Sequence, residues 1–312
     1  MQTIRIGTRG SKLALWQADY VADLLRQQYP TASIERVIFT TRGDKILDKS
    51  LPSIGGKGLF TEELEAALLN GDIDCAVHSL KDLPTQNPYG LTIGAVPERA
   101  PVEDVLISRH HLDLDTLPTG ATIGTSSLRR AAQVRHVRPD IIIIDIRGNV
   151  PTRIQKALQP ESAYDAIILA QAGVERLGLM QHVTQILSND VMLPAPGQGA
   201  IGIQSRDDNA DLFEPLTDLA TLLTVTAERS FLQRLQGGCS VPVAAYSTYK
   251  DDTLTFIGRV ASVDGKQWIE VTREATALAS TKPFIIAEEV GRYAAVEALA
   301  KGAKAILDEV KA

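Results

Sequence analysis

The chain has 312 residues, 44 % of them hydrophobic and 22 % charged, which is the composition of a globular protein of two or three domains. No apolar run approaches the roughly 20 residues that span a bilayer, and the N-terminus alternates at once like a strand, so we expect neither a membrane anchor nor a signal peptide. A net charge of −6 argues against a general nucleic-acid surface, and two distant cysteines indicate a reducing cytoplasm rather than a disulfide framework.

Strand-like and helix-like segments alternate along the first two thirds of the chain, which predicts α/β architecture. The first group comprises a strand at Thr3–Thr8, a helix capped by Ser11, a strand at Ile34–Thr40, a mobile glycine-rich loop at Thr41–Gly58, a helix from about Thr61 and a buried strand at Ile73–Val77. The second group comprises strands at Thr122–Gly124, Ile141–Ile144 and Asp165–Leu169, a helix at Ser127–Val137 and a helix ending near Arg176. Because Ile141–Ile144 is continuously apolar, we expect it to be covered on both faces.

The last third has a different pattern, with strand-like stretches at 241–247, 253–261 and 267–273 and a long helical pattern from about 283 to 309. It predicts a small α+β domain. A helix-like run at its start leads into Gly237-Gly238-Cys239. A thiol on such a turn can be a nucleophile or an attachment point, although a semi-buried cysteine after a helix cap is the alternative.

A carboxylate follows the buried strand at Ile73–Val77. It is Asp82, next to Lys81 and just before Pro84. Ligands of open α/β sheets bind beyond the carboxyl ends of strands, so Asp82 is a candidate general acid or base. The alternative is a turn aspartate that binds its own backbone.

Basic residues are concentrated at 126–156, where seven Lys and Arg against two Asp give a net charge of +5. Helix N-termini and arginine forks both bind anions, so this segment favours a small anionic ligand over a solvated helix face. The candidates at strand ends and helix starts are Arg9, Ser11, Thr125, Ser126, Ser127, Arg129, Arg130, Arg147, Gly148 and Arg153.

Three weaker features carry simpler interpretations. Gly55-Gly56-Lys57-Gly58 lacks the spacing of a phosphate loop, so it predicts a lid with one lysine. His110-His111 is interpreted as a surface pair, and we expect no metal site. Cys75 lies within an apolar strand and is expected in the core.

Seven ordered segments together resemble the hydroxymethylbilane synthase (porphobilinogen deaminase) family over nearly the whole chain. They are Arg5–Gln17, Gly55–Phe60, Val77–Pro84, Gly124–Arg130, Arg147–Val150, Leu193–Ala200 and Ala227–Arg229 leading to Cys239. The resemblance implies a transferase of porphyrin and heme biosynthesis that joins four porphobilinogen molecules head to tail, releases ammonia and yields hydroxymethylbilane. It further implies a dipyrromethane cofactor, held as a thioether on Cys239, and Asp82 as the catalytic carboxylate.

The resemblance also assigns binding roles. Cofactor binding falls to Lys81, Asp82, Thr125, Ser126, Ser127, Arg129, Arg130, Arg147 and Gly148. Substrate binding falls to Arg9, Ser11, Lys57, Arg147, Arg153, Arg176 and Gln198. Several arginines fit this task, because each pyrrole carries two carboxylates and guanidinium stays charged.

The fold that the resemblance implies has two α/β domains similar to the halves of periplasmic binding proteins and a smaller C-terminal α+β domain that carries the cysteine. The expected boundaries are 1–96 with 197–214, 101–194 and 219–312, with the active cleft between the first two domains and hinges near Pro97–Pro101 and Pro194–Gly197. It also implies a cytoplasmic monomer without nucleic-acid or membrane partners, which passes its product to uroporphyrinogen-III synthase.

Two other functions share part of this pattern. A two-lobed binding protein or effector domain would have the α/β halves and an arginine cleft without needing the turn thiol. A cysteine-nucleophile hydrolase would use the thiol with His78, His136 or His182 as its base.

Overall fold

The computed structural model describes residues 3–45, 61–235, 241–276 and 282–310. The strands, in chain order, are β1 (Thr3–Arg9), β2 (Ser33–Phe39), β3 (Cys75–Ser79), β4 (Leu91–Ala95), β5 (Asp104–Ser108), β6 (Thr122–Gly124), β7 (Ile142–Ile144), β8 (Ala166–Ala170), β9 (Gln185–Leu187), β10 (Ile201–Arg206), β11 (Val243–Lys250), β12 (Thr253–Ala261) and β13 (Trp268–Thr276). The α-helices are α1 (Lys12–Gln28), α2 (Arg42–Lys45), α3 (Glu62–Leu69), α4 (Leu128–Val137), α5 (Val150–Leu158), α6 (Gln171–Arg176), α7 (Leu219–Arg234), α8 (Pro283–Ala300) and α9 (Ala303–Glu309).

The described residues divide into two compact units. Unit 1 contains 3–45, 61–100 and 199–222, and unit 2 contains 101–198, 223–235, 241–276 and 282–310. Unit 1 has one sheet and unit 2 has two, and the finer division into three domains stays a prediction.

The sheet of unit 1 has the strand order β2-β1-β3-β10-β4. β1 runs parallel to both β2 and β3, whereas β10 is antiparallel to β3 and β4. Ile4 and Ile6 of β1 pack with Val21 and Leu25 of α1 in a buried cluster. Only Gly10 and Ser11 separate β1 from α1, so the N-terminus of α1 lies at the carboxyl end of β1.

The larger sheet of unit 2 has the order β7-β6-β8-β5-β9, in which β5 is the antiparallel strand. The two sheets therefore share one topology, with three parallel strands, an antiparallel fourth and a fifth that runs with the first three. Successive residues of β5 point to opposite faces, so Leu106 joins one buried cluster while Val105 and Ile107 join another. Both faces of this sheet are covered, as in α/β proteins generally.

The expectation that Ile141–Ile144 is covered on both faces is wrong. The strand is Ile142–Ile144, it lies at the edge of its sheet, and Ile142 is 52 % exposed. An edge strand has a neighbour on one side only, so its apolar residues are less completely covered than those of a central strand.

The C-terminal sheet is an antiparallel meander in the order β11-β12-β13. Phe231 of α7 and Phe256 of β12 pack in its core with their ring centroids 5.2 Å apart. The α+β character predicted for this part of the chain is confirmed. The predicted long helix is interrupted, because Gly302 takes φ +102° between α8 and α9.

Three further expectations concern Cys75, the His110-His111 pair and the glycine-rich loop. Cys75 is fully buried and His110-His111 is exposed, as predicted. The glycine-rich loop begins with the short helix α2, and its residues 46–58, including Lys57, lie outside the described residues, as does Cys239. In the described part of the chain, no helix is both long and apolar enough to cross a membrane.

Candidate functional site

In unit 1 the predicted residues lie at the carboxyl ends of two neighbouring parallel strands. Arg9 ends β1, and Lys81 and Asp82 come directly after β3. The register pairs Gly7 with Ala76, and its continuation brings Arg9 level with the end of β3. Ser11 caps α1 at the same edge, where its Oγ accepts the amide of Ala14 at 3.2 Å.

Asp82 is held in place by its backbone and presented to solvent. It ends a 3-10 turn at Leu80–Asp82 whose two leucine neighbours, Leu80 and Leu83, are buried while Asp82 is exposed. The amide of Leu80 donates to the carbonyl of Ala200 at 3.0 Å. A Cβ at Gly202 of β10 would lie 2.9 Å from Leu80, so glycine lets the turn pack close to the sheet. The structure therefore aims a carboxylate outward from a rigid support.

Two polar side chains beneath this turn are buried. Gln17 of α1 is 2 % exposed and donates to the Oγ of Ser79 at 2.9 Å. Burial, together with the charge of Arg9, lowers the pKa of His78 from its ordinary 6.5 to about 4, so this histidine is neutral at neutral pH. Sequence reasoning missed Gln17, and the only signal for it was a polar residue on the apolar face of a helix.

In unit 2 the predicted residues again gather at the carboxyl edge of parallel strands. β6 leads to Thr125, Ser126 and Ser127, β7 leads to Arg147 and Gly148, and β8 leads into α6, which ends at Arg176. Because β6 runs parallel to β7 and β8, these three strand ends lie at one edge of the sheet.

The three hydroxyl residues shape the turn into α4. Ser127 is the N-cap, and its Oγ accepts the amide of Arg130 at 3.4 Å. Thr125 Oγ1 accepts the amide of Ser127 at 3.2 Å, and Ser126 Oγ donates to the carbonyl of Ile146 at 2.7 Å. These bonds order the N-terminus of α4, where amide groups and the helix dipole favour an anion.

The next turn presents arginines beside a glycine whose backbone has a positive φ. Gly148 takes φ +120°, and a Cβ there would lie 2.9 Å from Thr152, so glycine is needed. Arg153 of α5 folds back and donates from Nε to the carbonyl of Gly148 at 2.7 Å. Arg147 lies 3.7 Å from the carboxylate of Asp145, which itself is half-exposed.

Arg129 and Arg130 share one buried carboxylate. Asp104, at the start of β5, is fully buried; its Oδ2 forms an ion pair with Arg129 Nη2 at 2.7 Å, and its Oδ1 accepts Arg130 Nε and Nη2 at 3.1 and 2.7 Å. Arg129 and Arg130 are 5 % and 7 % exposed, respectively. Burial lowers the pKa of Arg129, and the charge of Asp104 opposes that shift.

The cluster carries more positive than negative charge, since two guanidinium groups face one carboxylate. Gln198 also belongs to this cluster. It is fully buried, and its Nε2 donates to Val102 O at 2.7 Å and to Asp104 Oδ1 at 3.0 Å. The sequence indicated the arginines but not their counter-ion, whose only signal was an acidic residue at the head of an apolar run. The binding roles of these residues stay predictions.

The histidines considered as hydrolase bases have other surroundings. His78 is buried under the Asp82 turn, and His136 stacks on Trp268 with the ring centroids 4.1 Å apart. His182 ends a short 3-10 turn at Met180–His182 and is half-buried.

Comparison with solved structures gives alignments of low TM-score and low sequence identity. The effector-binding domain of BenM with benzoate aligns with a TM-score of 0.40 at 15 % identity, over 70 % of this chain and 95 % of that one. The alkanesulfonate-binding protein SsuA from Xanthomonas axonopodis pv. citri aligns with a TM-score of 0.34 at 17 % identity, over 74 % of each chain.

Comparison of sequences is far more specific. Residues 4–214 match the model of the porphobilinogen deaminase dipyromethane cofactor binding domain, and residues 222–300 match that of the porphobilinogen deaminase C-terminal domain. The porphobilinogen deaminase of Syntrophotalea carbinolica is 48 % identical over 97 % of this chain and 95 % of its own. That of Carboxydothermus hydrogenoformans is 49 % identical over 98 % and 96 %, and that of Bacillus pumilus 46 % identical over 100 % and 98 %. The chain therefore belongs to the porphobilinogen deaminase family.

Proposed function

We propose that this chain joins four porphobilinogen molecules head to tail, with release of ammonia, on a dipyrromethane held by Cys239, and so makes hydroxymethylbilane. Membership of the family supports this transferase activity and its place in tetrapyrrole biosynthesis. One observation supports the assignment of roles. The exposed carboxylate of Asp82 follows the buried strand β3, and the neighbouring strand β1 ends in Arg9.

The residues of unit 2 fit a group that bears several carboxylates. The carboxyl edge of its larger sheet offers hydroxyl, guanidinium and helix N-terminal donors, and the Arg129–Arg130–Asp104 cluster keeps an excess of positive charge. Dipyrromethane, when bound, supplies the enzyme-held pyrrole from which the product is extended. We assign its carboxylates to Lys81, Thr125, Ser126, Ser127, Arg129, Arg130, Arg147 and Gly148, with Asp82 contacting the pyrroles.

Asp82 is assigned the proton chemistry. The carboxyl group here gives its proton to the departing amine, stabilises as a carboxylate the positive charge that develops on the substrate pyrrole, and takes up the proton released when the new bond has formed. Its rigid attachment through Leu80 and Ala200 keeps its position while successive substrates bind. An effective general acid or base must be placed within hydrogen-bond distance of its proton, and the anchored turn provides that placement.

Substrate acetate and propionate groups are assigned to Arg9, Ser11, Lys57, Arg147, Arg153, Arg176 and Gln198. For Gln198 this role requires a change of partners, since its side chain binds Val102 and Asp104 in the structure. Arginine suits these tasks because its planar fork matches a carboxylate.

The proposal extends to organisation and partners. We assign three domains, at 1–96 with 197–214, at 101–194 and at 219–312, in a cytoplasmic monomer without nucleic-acid or membrane partners. Because hydroxymethylbilane is a linear product, we assign its onward conversion to uroporphyrinogen-III synthase. Sedimentation of the purified chain tests the monomer.

The test of the catalytic assignment is Asp82→Asn. It keeps the size of the side chain and removes its basicity, so the variant should carry the cofactor mass and lose about 10²- to 10⁴-fold in turnover. Asp72→Asn is the matched control, since Asp72 is exposed and precedes the same strand at its other end. Near-normal turnover of Asp82→Asn would remove Asp82 from its central role.

A further inference from the structure

The helix that carries Arg129 and Arg130 also packs against the C-terminal sheet. The turn between β12 and β13 contains Gly265, whose carbonyl lies 2.9 Å from Nδ1 of His136, and Arg135 donates to the carbonyl of Val263 at 2.8 Å. A Cβ at Gly265 would lie 2.7 Å from the amide nitrogen of His136, so this turn contacts the helix backbone itself. The contact is close enough to transmit the position of one element to the other.

A buried arginine of the C-terminal sheet reaches across this contact. Arg259 of β12 is 5 % exposed, lies 4.2 Å above the ring of Trp268 and pairs with Glu270 at 2.6 Å. Its remaining arm donates from Nη1 to Oε1 of Gln133 at 2.7 Å. Trp268 and Glu270 belong to β13, so the sheet itself fixes the direction of this arm.

Gln133 passes the constraint to the arginine pair. It is 1 % exposed and binds Leu193 twice, with Oε1 accepting the amide at 3.0 Å and Nε2 donating to the carbonyl at 3.0 Å. The same carbonyl accepts Nη1 of Arg129 at 2.7 Å. Residues 129 and 133 are one helical turn apart and share a face, so both side chains hold the same segment. Arg129 then reaches Asp104 with its other arm.

We propose that Arg259 is a positioning residue that sets the orientation of Arg129 through Gln133 and Leu193, and so couples the C-terminal sheet to the binding of carboxylates by the arginine pair. This rests on the proposed function. A charged donor fixes which way the Gln133 amide faces, because Oε1 must point to Arg259 and Nε2 to Leu193. Without Arg259, Oε1 of Gln133 loses one of its donors and keeps the Leu193 amide, so the Gln133–Leu193 pair, and with it the carbonyl that orients Arg129, is held less firmly.

The test compares the loading of cofactor-free protein with pyrrole units. Wild type, Arg259→Met, Arg259→Lys and the control Arg273→Met are prepared without cofactor and incubated with porphobilinogen, and the gain in mass is followed in time. Arg273 lies on β13 and pairs with the half-buried Glu297 of α8 at 2.7 Å, so its replacement removes one positive charge from the same sheet at a residue that pairs with α8 rather than α4. We expect Arg259→Met to load about 5- to 30-fold more slowly, Arg259→Lys to be intermediate because one ammonium replaces a fork, and the control to load within about twofold of wild type.

A purely structural role gives a different result. Arg259→Met would then lower the melting temperature while its folded fraction loads at the wild-type rate, and that outcome overturns the proposal. Should Arg259→Met fail to fold, Arg259→Lys decides: loading equal to wild type overturns the proposal and slower loading supports it.

Failure of the proposed function is distinguishable. If wild type gains no mass, that function fails, and the coupling is judged by hydrogen exchange of the α4 amides. Faster exchange at residues 130–134 in Arg259→Met than in Arg273→Met supports the coupling, and equal exchange overturns it.

Discussion

Asp104→Asn removes the buried negative charge that pairs with both Arg129 and Arg130 and leaves the size of the side chain nearly unchanged. The carboxylate is fully buried, forms ion pairs with both guanidinium groups and accepts a hydrogen bond from the Gln198 amide. Breaking a buried ion pair by removing one partner costs about 3–5 kcal/mol, because the remaining charge stays buried without compensation. For a unit of this size each kcal/mol lowers the melting temperature by about 2–4 °C, so we expect a fall of about 10 °C.

Thermal unfolding followed by calorimetry measures this change, with Asp140→Asn as the control. Asp140 lies just beyond the other end of α4 and pairs with Arg138 at 2.7 Å near the surface, where its loss should move the melting temperature by about 2 °C or less. Both variants change the net charge equally. Equal melting temperatures for the two variants would refute the reasoning that Asp104 is the buried counter-ion of the arginine pair.

Two further predictions concern His78 and Cys239. The pKa of His78 is about 4 in the folded chain and about 6.5 in the unfolded chain, so the unfolded state takes up a proton at a higher pH than the folded state. The free energy of unfolding therefore falls as the pH drops from 6.5 towards 4, by up to about 3 kcal/mol. Urea unfolding at pH 7 and pH 4.5 should therefore show a smaller loss for His78→Gln than for wild type, and identical losses would count against a buried neutral histidine. Cys239→Ser should fold with an unchanged melting temperature yet gain no thioether-linked mass from porphobilinogen, and stable attachment in that variant would contradict the assignment of the thiol.

Local features were predictable from the sequence because they depend on near neighbours. The N-cap at Ser11 is confirmed, and so is the strand before Asp82, although it begins two residues later than predicted; of Ser126 and Ser127, both suited to cap α4, the structure has Ser127 in that position. Capping needs only a hydroxyl three residues before an amide, and apolar runs mark strands.

Long-range pairing was not predictable in the same way. β10 joins the sheet of unit 1 although all strands of the larger sheet of unit 2 lie between β4 and β10 in the sequence, and short strands such as β9 carry little periodicity of their own. The edge position of Ile142 likewise depends on strand order rather than on its own residues.

The residues of the candidate site were likewise predictable only where their roles depend on the local sequence. Residue types and strand-end positions indicated Asp82, Arg129 and Arg130, but the partner of the two arginines lies 25 or more residues earlier in the chain, at Asp104. Nothing in the local sequence marks Asp104 as their counter-ion, because that role exists only once β5 lies beside α4.

Intact-mass spectrometry of freshly purified protein under denaturing conditions, followed by peptide mapping, tests the central claim most directly. We expect a chain heavier by two linked pyrrole units, with the additional mass confined to the peptide that contains Cys239. An unmodified chain that gains no mass after incubation with porphobilinogen would contradict it.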